Sequence, residues 1–501
     1  MNTKRASQGM SRRGVRSTQR GRRDFLTIMG GAGAALFAAA CGGSTTKSNS
    51  APTTVATRAA AATSGAAATA IGTAAAVRTT PAAPVKVSTV TYFGANSAPE
   101  ELAWNKKFND DFAAAFPQYR AEDSEFSNSS DWIPKLQTSI ASNTTPDWLF
   151  RDSNGTDLPT LWDQGLLSPV NDVMENVYKL AGGKENFTKS AVDRYTLPTG
   201  ELIGMPMAFS SYVFWFRQDL MQQAGLTPPA GHWDFNFLLK AAKALHNPPK
   251  VYGFAMPTSR TSTAQYIAPF IFGNGGHLVS QDLKDVIFDS PEVREAVDLI
   301  KELAQYVPPG AETWGAPDQV GAIVMGTSAM GIYQGRVLPN LVKQNPSLIG
   351  KMSNTLIPYN KEPRDWGGPA PHALFKNAKN PQGAKEMIAF SMTKQQYINW
   401  MLTAPGFYIS AIPAYQTDPS YTNNDVLKQF DPKLLATFVE SGKASADFFK
   451  EGPEWKINPK AGTLQGALII NDIVQKVAIG KESTQSAVTF GANTIRDIMK
   501  S

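Results

Sequence analysis

An α/β protein of two domains is what this sequence predicts, on three observations. Between residues 85 and 150, β-branched and aromatic runs alternate with stretches of helical periodicity. Beyond that region the pattern is mostly helical, clearest at 235–245, 291–306, 382–392, 464–477 and 483–499. Roughly 415 residues follow a low-complexity N-terminal stretch, more than one hydrophobic core accommodates. Alternating strands and helices favour parallel sheets with right-handed crossovers.

The N-terminal elements come first. Eight basic residues precede position 24, ending in Arg22-Arg23-Asp24-Phe25-Leu26. A short Gly/Ala-rich apolar stretch follows and closes on Ala38-Ala39-Ala40-Cys41. A positive n-region, an apolar stretch and small residues at the cut describe a secretory signal. Tandem arginines before Phe-Leu resemble a twin-arginine signal. Cys41 behind three alanines resembles a bacterial lipobox, whose thiol takes diacylglycerol. The apolar stretch is too short and too rich in Gly and Ala to span a bilayer. Residues 1–41 therefore read as an export signal and Cys41 as the lipidation site.

Residues 42–85 are Ala, Thr, Ser and Gly with scattered Pro, and up to Pro84 hold neither an aromatic nor an acid. Such a segment cannot bury enough apolar surface to offset its ordering entropy, so it reads as a disordered tether. The leader also accounts for the alkaline pI. Removing residues 1–41 takes away eight of 48 basic residues and one of 42 acidic ones, which leaves a net charge near −1. The alkaline pI is therefore no evidence for nucleic-acid binding, no K/R-rich stripe interleaved with aromatics follows, and no nucleic-acid partner is expected. Cys41 is the one cysteine, so no internal disulfide forms.

The domain part opens with a β-branched strand at 85–93. A helix at 100–116 follows, with Leu102, Phe108, Phe112 and Phe116 inward. A weaker strand at 120–126, a helix at 132–142 and a strand at 146–150 complete the alternation. Thr199-Gly200 is a hairpin-turn signal. Gly204 and Pro206 bracket a short strand. Pro228-Pro229 keeps the chain extended, so the next helix cannot start before Trp233. Trp215 and Phe216 lie in a run apolar enough to be buried on both faces.

Several segments together resemble the extracellular solute-binding proteins of family 1, which serve ABC importers of sugars and include the maltose-binding type. Thr199-Gly200-Glu201-Leu202-Ile203-Gly204-Met205-Pro206 resembles the family's "GKLYGLP" unit. Trp215-Phe216-Arg217-Gln218-Asp219-Leu220 stands where "YYNKDLF" is usual. Ala224-Gly225-Leu226, Pro228-Pro229, Trp233-Asp234 and the helix to Leu245 resemble "AGL-PP-TWDELLEAAKKL", with His232 in place of the capping Thr. Pro146 to Phe150 with Gly165 to Val170, then Asn274-Gly275-Gly276, Met325 to Gly331, Lys379-Asn380-Pro381, Ile412-Pro413-Ala414 and Ile479-Gly480-Lys481 follow in the family's order. The resemblance spans nearly all of 86–500.

The resemblance implies a two-lobed periplasmic-binding-protein fold, with mostly parallel sheets flanked by helices and a ligand cleft between the lobes. It implies chain crossings near 204–208, 333–336 and 367–373. The lobes would then be 86–205 with 335–366, and 206–334 with 367–501. Ligand would bind at the carboxyl ends of strands and the lobes would close by hinge motion. Candidate ligand contacts follow: Tyr92 and Asn96 at the first strand, Phe126 ending the second, Asp152 and Ser153 after the third. Phe209, Ser210 and Tyr212 follow the first crossing, Gln334 and Arg336 mark the second, and Trp366, Gly367 and Gly368 the third. Tyr408 lies in a Gly-containing loop. Aromatic faces pack on the C–H face of a pyranose, while Asp, Asn, Gln and Arg hydrogen-bond its hydroxyls. Trp366 is read as a stacking platform. Phe126 could instead be core, Asp152 a helix cap, and Arg336 the partner of an acid.

No enzyme site is visible. His232, His246, His277 and His372 show no metal-ligand spacing, so neither a metal nor a cofactor is expected. Gly326-Thr327-Ser328-Ala329-Met330 carries Met330 where a nucleophile elbow requires Gly. No phosphate-binding G-x-x-x-x-G-K-[ST] loop occurs. The reading is a monomeric, lipid-anchored extracytoplasmic binding protein. Its expected partners are a small solute, foremost a sugar, the ABC permease subunits, and the membrane through its anchor. A non-sugar solute such as a polyamine or phosphate ester is the alternative, ahead of an exported carbohydrate-active enzyme.

Overall fold

β1 (Ser88–Gly94) begins exposed and ends with Tyr92, Phe93 and Gly94 all buried. It pairs in parallel with β2 (Tyr119–Asp123) on one side and β3 (Trp148–Phe150) on the other. The helix Pro99–Ala115 links β1 to β2. Pro99 opens it, where the missing N–H costs nothing, and Glu101 reaches back to the Ala98 N–H at 3.3 Å. Trp104, Phe108 and Phe112 form its buried face. Leu102 is only half-buried, because Trp104 and Asn105 take the inward positions.

The structure, a computed structural model, describes residues 87–94, 98–123, 132–150 and 157–501. The export signal, Cys41 and the tether lie outside the described residues. So do Asn96, Phe126, Asp152 and Ser153. The described residues belong to one compact unit.

Two sheets organise that unit. The remaining strands are β4 (Leu167–Ser168), β5 (Met205–Phe209), β6 (Tyr212–Arg217), β7 (Met330–Gln334), β8 (Met352–Thr355), β9 (Asp365–Trp366), β10 (Pro369–Phe375), β11 (Ile409–Ser410) and β12 (Ser445–Ala446). The first sheet runs β11-β5-β10-β3-β1-β2, with β4 on β10. The second runs β7-β6-β8, and β9 pairs separately with β12.

Three expectations change here. The first sheet is mixed, with β10 antiparallel to β3, β4 and β5, and the second is antiparallel, with β6 running against both neighbours. Parallel pairing is confined to β1, β2 and β3, which are joined by helical crossovers, while β10 and β11 run against the other strands of the first sheet. β10 enters that sheet from the other layer and so runs backwards. The lobe boundaries move as well. β8 pairs with β6, so 352–355 belongs with the second sheet, and β10 sits between β3 and β5, so 369–375 belongs with the first. The helix expected at 464–477 is broken. Leu468 takes a left-handed φ of 56° between helices Ala461–Gly466 and Ile469–Val474, and a π-turn follows at Gln475–Ile479.

Other local readings stand. Gly200 has φ 91° inside a turn in which the Leu197 N–H bonds Glu201 O at 2.8 Å. Helix Phe235–Leu245 starts after Asp234, whose Oδ1 accepts the Phe237 N–H at 2.7 Å. That cap does the work for which His232 is unsuited. Trp215 is fully buried in β6 and its indole N–H donates to Tyr333 O at 3.1 Å.

Candidate ligand cleft at the chain crossings

The chain passes from the first sheet to the second through Ser210-Ser211, between β5 and β6. It returns through Gly367-Gly368, between β9 and β10. Gly367 takes φ 105°, which favours glycine. A third passage lies between β11 and helix Pro432–Gly442, which packs on β6 and β8. The passage expected at 333–336 is instead an excursion. Gly335 leaves β7 so close to the first layer that a Cβ would sit 1.9 Å from Gly406 O. The chain then returns to the second sheet by helix Val337–Gln344 and β8.

These passages bring part of the expected site together. Tyr212 pairs with Gln334 across β6 and β7, and the Gln334 amide lies 3.4 Å from Ser210 O. Arg336, at the end of the excursion, pairs with Glu101 of helix Pro99–Ala115. Its guanidinium lies 4.2 Å over Phe407, and the Tyr408 hydroxyl donates to the same Glu101 oxygen at 2.9 Å. Arg336 is thus the partner of an acid, the structural role that its residue type also allowed. Glu101 is 2% exposed and Arg336 27%, so the pair joins the two layers while leaving the guanidinium partly open.

Other candidates are packed away. Tyr92 is buried in β1, stacked on Trp148 at 5.0 Å, with its hydroxyl on Asn109. It serves the first core, because its strand position faces the helix layer. Trp366 is 7% exposed and edge-on to Phe448 at 5.3 Å. Its strand β9 pairs with β12 at Ala446, and at this burial it is not an open stacking platform. Phe209 and Tyr408 are buried, the latter against Trp400. Gly368 is needed for packing: a Cβ there would lie 2.3 Å from Arg194 Nε.

Residues that sequence reasoning passed over complete the region. Tyr266 stands edge-to-face with Tyr212 and stacked with Tyr333. Burial pushes the Tyr333 phenol up to about 12. Asp365 is 2% exposed, accepts the Tyr212 N–H at 2.9 Å and donates its own N–H to Ala444 O. Burial raises its carboxyl well above the usual range, against the pull of the Tyr212 and Trp366 N–H groups. Among the described residues it has no cationic partner. Asp365 therefore ties the first passage, the second passage and the segment after helix Pro432–Gly442. Its neighbours in sequence carried the only signal: an acid between Arg364 and Trp366 just before Gly367-Gly368.

Among the described residues no three His, Cys, Asp or Glu side chains gather as a metal site, and no helix is long and apolar enough to cross a membrane.

Comparison with known proteins adds independent findings. The family model described as bacterial extracellular solute-binding protein matches residues 94–406. YcjN of Escherichia coli (strain K12), named as an ABC transporter periplasmic-binding protein, is 22% identical over 59% of this chain and 67% of its own length. A binding protein of Brucella abortus is 22% identical over 52% of this chain, and the match spans 62% of that relative's length. Among solved structures, an ABC transporter solute-binding protein from Thermotoga lettingae bound with α-D-tagatose superposes with a TM-score of 0.67 at 20% identity, over 83% of this chain and 100% of that one. Maltose-bound MalE3 of T. maritima gives 0.66 at 16%, over 82% and 99%. A sugar transporter from Arthrobacter chlorophenolicus with laminaribiose gives 0.67 at 17%, over 82% and 99%.

Proposed function

The chain belongs to the bacterial extracellular solute-binding protein family, and from that premise we propose that it captures a sugar or oligosaccharide by hinge closure and hands it to an ABC importer. One observation carries this reading. Ser210, Tyr212, Gln334 and Arg336, from two separate stretches of chain, gather where the two sheets meet, with Tyr408 buried behind them on Glu101. Aromatic rings beside amide and guanidinium donors suit a polyhydroxylated ring. Passages of only two residues, Ser210-Ser211 and Gly367-Gly368, suit hinges that absorb dihedral change. The sugars named for three of the fold relatives, tagatose, maltose and laminaribiose, agree with that chemistry. Asn96, Phe126, Asp152 and Ser153 remain part of the proposed site through their positions directly after β1, β2 and β3.

Calorimetry against a panel of mono- and oligosaccharides tests the reading. One sugar should bind one-to-one, and small-angle scattering should show a smaller radius of gyration when it is bound. Tyr212→Ala should weaken binding about tenfold, the loss expected for one aromatic contact of roughly 1.4 kcal/mol. A panel in which a polyamine binds and no sugar does would leave the importer role and overturn the sugar.

Anchoring through Cys41 belongs to the same proposal. Palmitate labelling of the expressed precursor should mark the native chain and drop to background in Cys41→Ala. Equal labelling of both would remove the anchor.

A further inference from the structure

A cavity of about 190 Å³ lies between helix Lys189–Tyr195 and the chain around β12, apart from the Arg336–Glu101 cluster. Its described walls carry four cationic side chains, Arg194, Arg364, Lys443 and Lys450, and one carboxylate, Asp193. Three of the cations are matched: Arg194 by Asp447, Arg364 by Glu362 and Lys443 by Glu440. Asp193 is itself matched by Lys189. Lys450 has no ion pair among the described residues. Burial, and after it the Arg194 charge, holds its ammonium below the usual range, against the pull of the Asp193 and Glu454 carboxylates.

Two further groups are unsatisfied. The Nε atoms of Arg194 and Arg364 are buried with no acceptor among the described residues. Both side chains are more than nine-tenths buried, at 5% and 9% exposure. A buried donor without an acceptor and a half-buried cation without an ion pair each cost stability. An oxyanion supplies both an acceptor and a counter-charge, and matches guanidinium and ammonium donors.

We propose that this cavity binds a small oxyanion, inorganic phosphate or the phosphoryl group of a small phosphate ester, with Lys450 as its main counter-charge and Arg364 and Arg194 behind it. The volume lies below the roughly 300–1,000 Å³ of sites for drug-sized ligands, so it takes an ion or a phosphoryl group and not an oligosaccharide. Phe209 and Pro369, which flank the two passages, also line it. Its walls come from a helix packed on β5 and from the segment after helix Pro432–Gly442, which packs on β6 and β8. A bound anion therefore bridges both layers and stabilises the whole unit.

Thermal melts and calorimetry of the full chain test this, with potassium chloride exchanged for potassium phosphate at constant ionic strength. The midpoint should rise saturably, by about 3 °C when phosphate stands 100-fold above its Kd. Lys450→Gln should weaken phosphate binding at least about tenfold, as expected for loss of the main counter-charge. Lys443→Gln, at an exposed position where folding is not at stake, should weaken it about threefold. Glucose 6-phosphate competing more tightly than inorganic phosphate would assign the site to an ester, and the reverse to the free ion; glucose alone should not compete. No saturable shift up to about 50 mM phosphate, or the same shift in native protein and Lys450→Gln, would overturn the site.

Discussion

Asp447→Ala should lower the thermal midpoint by about 3–6 °C. Arg194 Nη2 donates to both Asp447 oxygens at 2.7 Å. The two side chains are 5% and 0% exposed, so no solvent replaces a lost partner. The guanidinium also lies 4.4 Å over the Phe449 ring, and the Phe449 N–H donates to Asp447 at 2.9 Å. Removing one member of a buried pair typically costs about 3–5 kcal/mol, because the other charge stays behind uncompensated. Unfolding entropy of about 2.1 cal/mol/K per residue over roughly 415 residues is about 0.9 kcal/mol/K, so each kcal/mol moves the midpoint by about 1 °C. The double variant Arg194→Met, Asp447→Leu should recover most of the loss, since an apolar pair of similar volume avoids the desolvation penalty. A midpoint within 1 °C of native for Asp447→Ala alone would show that the pair does not hold helix Lys189–Tyr195 against the 447–450 segment.

The second large effect is acid lability centred on His372. This ring is fully buried in β10, stacked on Phe150 at 4.8 Å and edge-on to Trp148 at 5.1 Å. Ser391 Oγ donates to Ile388 O at 2.7 Å and lies 3.2 Å from His372 Nε2. That network places the ring proton on Nε2, and Nδ1 has no partner among the described residues. Burial pulls the imidazole down to about 3 from an ordinary 6.5. A folded-state value below the unfolded one means that the contribution is fully present above pH 6.5. It is lost progressively as pH falls from 6.5 to 3, as the unfolded chain takes up the proton first. Between pH 6.5 and 4.5 the loss is about 2–3 kcal/mol, or about 2–3 °C by the same conversion. His372→Leu keeps an apolar group of similar volume and leaves Ser391 its bond to Ile388. Its midpoint should fall by that much less than native over the same interval, with the carboxylates common to both cancelling. Parallel curves for the two proteins would remove His372 as the cause.

Much of the local structure was legible without coordinates. The helix Phe235–Leu245, the Gly200 turn and the buried β6 follow from short-range rules: periodicity, positive φ at glycine, and a run too apolar to face water. The ordered motifs pointed to the family, and the matched segment and the superposed folds agree. The site was read less well. Ser210, Tyr212, Gln334 and Arg336 were chosen by position near expected crossings and do converge, although the chain runs between them differently. Tyr92, at the end of the first strand, and Trp366, at the third expected crossing, were chosen by position as well, and packing with Trp148 and Phe448 decides against them as open surfaces.

The class, the family and most of the local elements follow from sequence alone, because they depend on patterns within about twenty residues. Which strand joins which sheet, and which charge meets which, depends on contacts far apart in the chain. β10 could extend either layer from its own residues; its place between β3 and β5 depends on where the chain re-enters the first sheet. Glu101 and Arg336 stand 235 positions apart, and Arg194 and Asp447 253 apart. No periodicity reaches across such distances. Those pairs exist because three passages bring two separately legible layers together and bury the charges against one another.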